Sequence, residues 1–137
     1  VGGLGGTFAG NPISCSAALA VMEILVEDAL LDQAVGLGEK INARINAFAE
    51  RYEIIGEIRG KGPMMAMELV RDRETKEPAA DEAKKLVKIC FDKGLVLISC
   101  GNFGNVIRML MPLVITDEQL DRGFSILEEA FQEINPS

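Results

Sequence analysis

The chain has 137 residues, 48% apolar and 26% charged, with a net charge of −7. This is enough for one domain with a core of its own, and the mixture is that of a globular rather than a disordered chain. The acidic balance disfavours nucleic acid and anionic membrane surfaces, which need clustered Lys and Arg.

Residues 1 to 10 are Gly-rich and read as loop. The start, Val1-Gly2-Gly3-Leu4-Gly5-Gly6, has no initiator Met and is expected to lie inside a longer chain. Asn11-Pro12 opens a first helix, since Asn is a good N-cap and Pro suits the first helical position. From Ile13 to about Val26 this helix is apolar almost all round, so it belongs against protein on every side. A second helix is expected over Leu30 to Tyr52. Its stripe is Leu30, Ala34, Leu37, Ile41, Ile45 and Phe48, weakened by Gly36 and Gly38.

Ile54, Ile55 and Ile58 form a strand region ahead of a turn at Gly60-Lys61-Gly62-Pro63. Met64 to Val70 reads as the next strand, and Arg71 to Pro78 as a charged surface loop. A third helix is predicted from Ala80 to Lys93, with Ala83, Leu86, Val87 and Cys90 on one face and Gly94 as its stop. Leu95–Ser99 and Asn105–Leu110 are strands of a hairpin, joined by the turn Gly101-Asn102-Phe103-Gly104. Thr116-Asp117-Glu118-Gln119 is a capping box. It opens a last helix striped by Leu120, Phe124, Leu127, Phe131 and Ile134 and ended by Asn135-Pro136. The sum is an α+β fold, a small, mainly antiparallel sheet with helices on one face.

Chemistry has few places to reside. There is no histidine, which removes the commonest general base and metal ligand. Cys15, Cys90 and Cys100 are too few and too far apart for a disulfide framework or a zinc site, and read as reduced thiols of a cytoplasmic protein. The Gly-rich start could bring backbone N–H groups and the Thr7 hydroxyl to a phosphate, although it is neither a P-loop nor a dinucleotide fingerprint. Arg108 lies within an apolar strand and shares a face with Val106 and Leu110. If that face is core, the cation requires an anion, either an internal carboxylate or a substrate. An edge-strand arginine in water is the other reading. Arg59 and Lys61, set among glycines, could hold an anion, but the favoured reading is a solvated turn. Lys84, Lys85 and Lys88 form a solvated helix face.

Gly5-Gly6-Thr7-Phe8-Ala9-Gly10-Asn11-Pro12, followed by an Ala-rich helix, resembles a motif of class III aminotransferases. Arg59-Gly60-Lys61-Gly62-Pro63-Met64-Met65-Ala66-Met67-Glu68-Leu69 looks like the first small-domain strand of that family. Gly104-Asn105-Val106-Ile107-Arg108-Met109-Leu110, then Pro112-Leu113 and the Thr116 helix, resembles its 4-aminobutyrate branch. The likeness covers essentially the whole chain in order.

The resemblance implies the C-terminal portion of a fold-type-I transferase that uses pyridoxal 5′-phosphate and works as a homodimer or higher homo-oligomer. It divides the chain into a remnant of the large-domain cofactor loop (1–11), a linking helix region (12–35) and a small domain (36–137). Gly6 and Thr7 would match residues at the cofactor phosphate, with Thr7 reaching across from the partner subunit. Arg108 would match the arginine that binds the carboxylate of an amino-acid or oxo-acid substrate. The expected reaction moves an amino group from an ω-amino acid such as 4-aminobutyrate to 2-oxoglutarate. The family's Schiff-base lysine and pyridine-facing aspartate precede the Gly-Gly-Thr motif, so this stretch alone is expected to be inactive, with no catalytic residue of its own. The alternatives are a free-standing module that binds a small acid through Arg108 and an interaction domain that docks through its apolar first helix.

Overall fold

The structure, a computed structural model, describes residues 5–134. The first four residues and the expected stop at Asn135-Pro136 lie outside them. The chain divides into two compact units, 1–33 and 34–137.

The first unit holds the loop of residues 5–10, helix α1 (Pro12–Glu27) and the start of helix α2 (Leu30–Arg51). Asn11 caps α1 as expected, its Oδ1 accepting from the N–H of Ile13 at 2.9 Å and of Ser14 at 3.4 Å. No residue of α1 is buried, and Ile13, Leu19, Met22 and Val26 stand open.

The second unit carries the rest of α2, then β1 (Ile55–Lys61), β2 (Met64–Leu69), α3 (Ala80–Asp92), β3 (Ile98–Cys100), β4 (Val106–Met109) and α4 (Asp117–Ile134). The four strands form one sheet in the order β1-β2-β4-β3, and every neighbouring pair is antiparallel. Ile55 and Ile58 are three residues apart, so simple alternation would put them on opposite faces. A bulge at Gly56 turns both toward the core. Met65, Met67, Leu69, Ile107 and Met109 complete the inward face. Against it lie the buried stripes of α2 (Leu37, Ile41, Ile45, Phe48), α3 (Ala83, Leu86, Cys90) and α4 (Leu120, Phe124, Leu127, Phe131). Phe48, Tyr52, Phe124 and Phe131 make an aromatic cluster with ring centroids 5.1–6.0 Å apart.

Ion pairs tie α2 to α4 at a constant sequence offset: Lys40 to Asp117, Arg44 to Asp121 and Arg51 to Glu128. A constant offset means that the two helices run parallel, side by side. Each pair is exposed and contributes little by itself.

The helix ends follow their capping chemistry. Thr116 Oγ1 accepts from the Gln119 N–H, and Gln119 Oε1 accepts from the Thr116 N–H, closing the capping box. At the end of α3, Gly94 has φ 92° and its N–H bonds Phe91 O, while the Leu95 N–H bonds Cys90 O. This paired arrangement is a Schellman motif. It also corrects the expected strand at Leu95–Ser99. Leu95 is spent on the helix exit, so pairing with β4 starts only at Ile98. The turn expected at Gly60–Pro63 is shorter too, because Gly60 and Lys61 still pair within β1. In the loop after β2, Arg73 donates to the carbonyls of Ala49, Tyr52 and Glu53 and so closes the C-terminal end of α2.

Gly36 and Gly38 differ in kind. A Cβ on Gly38 would stand 2.5 Å from the backbone carbon of Gly62, whereas one on Gly36 would meet nothing within 4 Å. Alanine is the better helix former by about 1 kcal/mol. Gly36→Ala is therefore expected to stabilise the fold by roughly 0.5–1 kcal/mol. Gly38→Ala should destabilise it by about 1–2 kcal/mol, because backbone must move. Urea unfolding of the two variants checks the opposite signs.

Burial pushes the Cys90 thiol up to about 11, so it holds its proton at neutral pH. Cys15 is exposed. Iodoacetamide at pH 8 is expected to label Cys15 and spare Cys90 until the protein is unfolded, as read by mass spectrometry of the peptides.

Candidate functional site

With the helices on one side, the other face of the sheet is open. Cross-strand partners point the same way, so the register assembles this face row by row. One row runs Arg59, Ala66, Arg108, Ile98 across β1, β2, β4 and β3. The next runs Glu57, Glu68, Val106, Cys100. The expected site residue Arg108 is exposed here, and the conditional reading of it as a buried cation does not hold. Among the described residues it makes no ion pair and donates no hydrogen bond.

Its direct neighbours across the strands are apolar, and Glu68 stands diagonal to it. Ala66 and Ile98 flank it across the strands. It lines a cleft of about 440 Å³ that reaches from Ile98, Leu110 and Pro112 past the end of β4 to Gln119 and Phe124 of α4. An unpaired guanidinium beside apolar walls suits a small carboxylate with an aliphatic chain.

Arg59 is differently placed. Its Nη1 lies 2.6 Å from Glu68 Oε2 and 3.3 Å from Glu57 Oε1. The hydrogen bond that Arg59 donates to Glu68 holds the guanidinium pKa above its ordinary value. Glu68 Oε1 also accepts from Asn105 Nδ2 at 3.5 Å, and the same amide donates to Leu69 O at 2.8 Å. Asn105 is buried, and its backbone oxygen accepts from the Leu69 N–H at 2.8 Å. It thereby pins the end of β2 to the start of β4, which fixes Arg108 opposite Ala66. Sequence reasoning passed over Ala66, Glu68 and Asn105. The alternation of Met64 to Leu69 could have placed Ala66 and Glu68 on the face away from the core.

Gly6 and Thr7 belong to the first unit. Both are exposed in a turn where the Ala9 N–H bonds Gly6 O at 3.0 Å and the Asn11 N–H bonds Phe8 O at 3.2 Å. Among the described residues the N–H groups of Gly6, Thr7 and Phe8 and the Thr7 hydroxyl are unbonded, so they are available to phosphate oxygens. A covalent cofactor-binding lysine finds no fit. Each of the seven lysines is exposed, and Lys93, bonded to Glu129 and Glu133, is shifted upward, away from the neutral amine such a role needs. Among the described residues no acidic or cysteine cluster could hold a metal, and no helix is long and apolar enough to cross a membrane.

Comparison with known proteins agrees with the resemblance seen in the motifs. The chain is 46% identical over 133 residues to the 5-aminovalerate aminotransferase of Pseudomonas aeruginosa, covering 97% of this chain and 31% of that protein. It is 45% identical over 132 residues to the 4-aminobutyrate aminotransferase of Escherichia coli, covering 96% and 31%. The chain thus spans about a third of the length of the curated relatives it matches. Among solved structures, an amine transaminase from an uncultivated Pseudomonas species, in its pyridoxal-phosphate-bound form, superposes with a TM-score of 0.84 at 32% identity. That match covers 96% of this chain and 30% of that one. The family model of class-III aminotransferases matches residues 1–131. With that match over nearly the whole chain and relatives 45–46% identical, the chain belongs to the class-III aminotransferases.

Proposed function

We propose that this chain is the C-terminal part of a pyridoxal-phosphate-dependent enzyme that moves the amino group of an ω-amino acid, 4-aminobutyrate first, to 2-oxoglutarate. The observation that carries the reading is Arg108, exposed, without an ion pair among the described residues and flanked by Ala66 and Ile98. Its planar fork of donors takes a carboxylate by two bonds. Holding that end presents the rest of the substrate in one orientation, which removes much of the entropic part of the barrier. The names of the relatives support the substrate class, since 4-aminobutyrate and 5-aminovalerate differ by one methylene. A pocket separates two such chains by only about 1–3 kcal/mol.

Gly6 and Thr7 would hold the cofactor phosphate, with Thr7 serving the partner subunit's site in a homodimer. When bound, the cofactor supplies the electron sink for carbanion chemistry. On this reading residues 1–11 belong to a cofactor loop, 12–35 to a linking helix region and 36–137 to a small domain. The 137 residues alone are inactive on this reading, because none of their lysines is desolvated.

The test incubates the full-length enzyme carrying this chain with pyridoxal phosphate, 2-oxoglutarate and either 4-aminobutyrate or 5-aminovalerate, and measures glutamate. Glutamate is expected from the full-length enzyme and none from the 137 residues. If neither donor yields glutamate, the assignment to ω-amino acids fails. Turnover by the 137 residues alone would overturn their inactivity.

A further inference from the structure

The open face holds two arginines and one carboxylate between them. Arg59 and Arg108 both stand opposite Ala66, on the two strands flanking β2. Adjacent strands are about 4.8 Å apart, so these arginines sit on the order of 10 Å from one another. Glu68 is the next residue of β2 on the same face, diagonal to both. Diagonal neighbours of this kind lie within reach of long side chains. In the structure Glu68 is bonded to Arg59 at 2.6 Å, while Arg108 makes no ion pair among the described residues. Ala66 has no side chain long enough to separate the two positions.

The geometry points to Arg59 as a positioning residue that holds Glu68 away from Arg108 and so keeps Arg108 free to bind a carboxylate. The inference rests on the reading of Arg108 given above. Glu57, at 3.3 Å, adds a second carboxylate to Arg59 and leaves Glu68 supplied with a cation on its own side. Asn105, bonded to the other oxygen of Glu68, stands on the Arg108 side and limits its swing. Without Arg59, the nearest guanidinium left to Glu68 on this face is Arg108. A substrate acid would then compete with an internal one. An exposed pair is worth up to about fivefold in an equilibrium constant, which sets the scale of the loss.

The experiment records side-chain guanidinium NMR of the 137-residue protein in which the Nη–Hη signals of Arg59 and Arg108 are assigned by substitution. In the native protein Arg59 Hη, bonded through Nη1 to Glu68, should exchange slowly and Arg108 Hη fast. Arg59→Gln should slow exchange at Arg108, and the double variant Arg59→Gln, Glu68→Gln should return it to the fast value. Arg59→Lys, which keeps a cation for Glu68, should leave Arg108 as in the native protein. An Arg108 signal that is unchanged in Arg59→Gln, or one that stays slow in the double variant, overturns the proposal. In the full-length enzyme Arg59→Gln should raise KM for 4-aminobutyrate by about two- to fivefold with kcat kept, and Glu68→Gln should restore it. The reading of Arg108 is tested separately by Arg108→Gln. If that variant leaves KM unchanged, the reading falls whatever the NMR shows. If it raises KM while Arg59→Gln does not, only the role of Arg59 falls.

Discussion

Replacing Arg108 with alanine is expected to raise KM for both the amino donor and 2-oxoglutarate by roughly 10- to 100-fold in the full-length enzyme. The size follows from the loss of a charge-assisted, two-bond contact at a site where no other unpaired guanidinium stands on the same face. Arg59 is spoken for by two carboxylates, so it offers no substitute. Folding should change little, because the side chain is exposed and has no partner among the described residues. Arg108→Lys keeps the charge but not the fork, and should recover only part of the loss. Steady-state kinetics with each substrate varied in turn checks this. An unchanged KM for both would remove Arg108 from substrate binding.

Phe131→Ala carries the largest expected cost to the fold, about 3–5 kcal/mol. Phe131 is fully buried, stacks on Tyr52 at 5.1 Å and meets Phe48 edge-on at 5.8 Å. Phe48 belongs to α2 and Tyr52 directly follows its last residue, so the deletion opens a void where α4 meets the end of α2. The pairs Lys40–Asp117, Arg44–Asp121 and Arg51–Glu128 lie along the same two helices but are exposed, and cannot make good the loss. Urea denaturation followed by circular dichroism should show a lower midpoint. A drop of under 1 kcal/mol would mean that the cluster collapses around the gap.

The parts of the fold that were legible in the sequence are those governed by local chemistry. Asn11-Pro12, Thr116 to Gln119 and Gly94 mark helix ends because each satisfies orphan backbone groups within a few residues of itself. The apolar stripes of α2, α3 and α4 were equally plain. Strand limits were not, since Leu95 to Leu97 are as apolar as Ile98 and only the helix exit decides where pairing begins. The bulge at Gly56 and the register of β2 on β4 depend on partners far along the chain. Arg108 was singled out from its apolar neighbours, yet alternation could not say which side of β4 faces the helices. Val106, on the open face, is as buried as Met109 on the inner one. The tie between Arg59 and Glu68 joins residues nine positions apart through the hairpin, and no local rule announces it. The same holds for Arg73, read as part of a surface loop, whose partners lie at the end of α2.

The two-sided sheet has a consequence for how such a protein can be altered. In β2 and β4 the residues that face the helices carry odd numbers (65, 67, 69, 107, 109), and those on the open face carry even ones (66, 68, 106, 108). On the proposed reading of Arg108, stability and ligand choice are therefore written on alternate letters of the same short segments. A combinatorial library confined to 66, 68 and 108 would explore new acids while the helix-facing residues stay untouched. One inserted residue in either strand would exchange the two alphabets, and recognition and folding would be lost together.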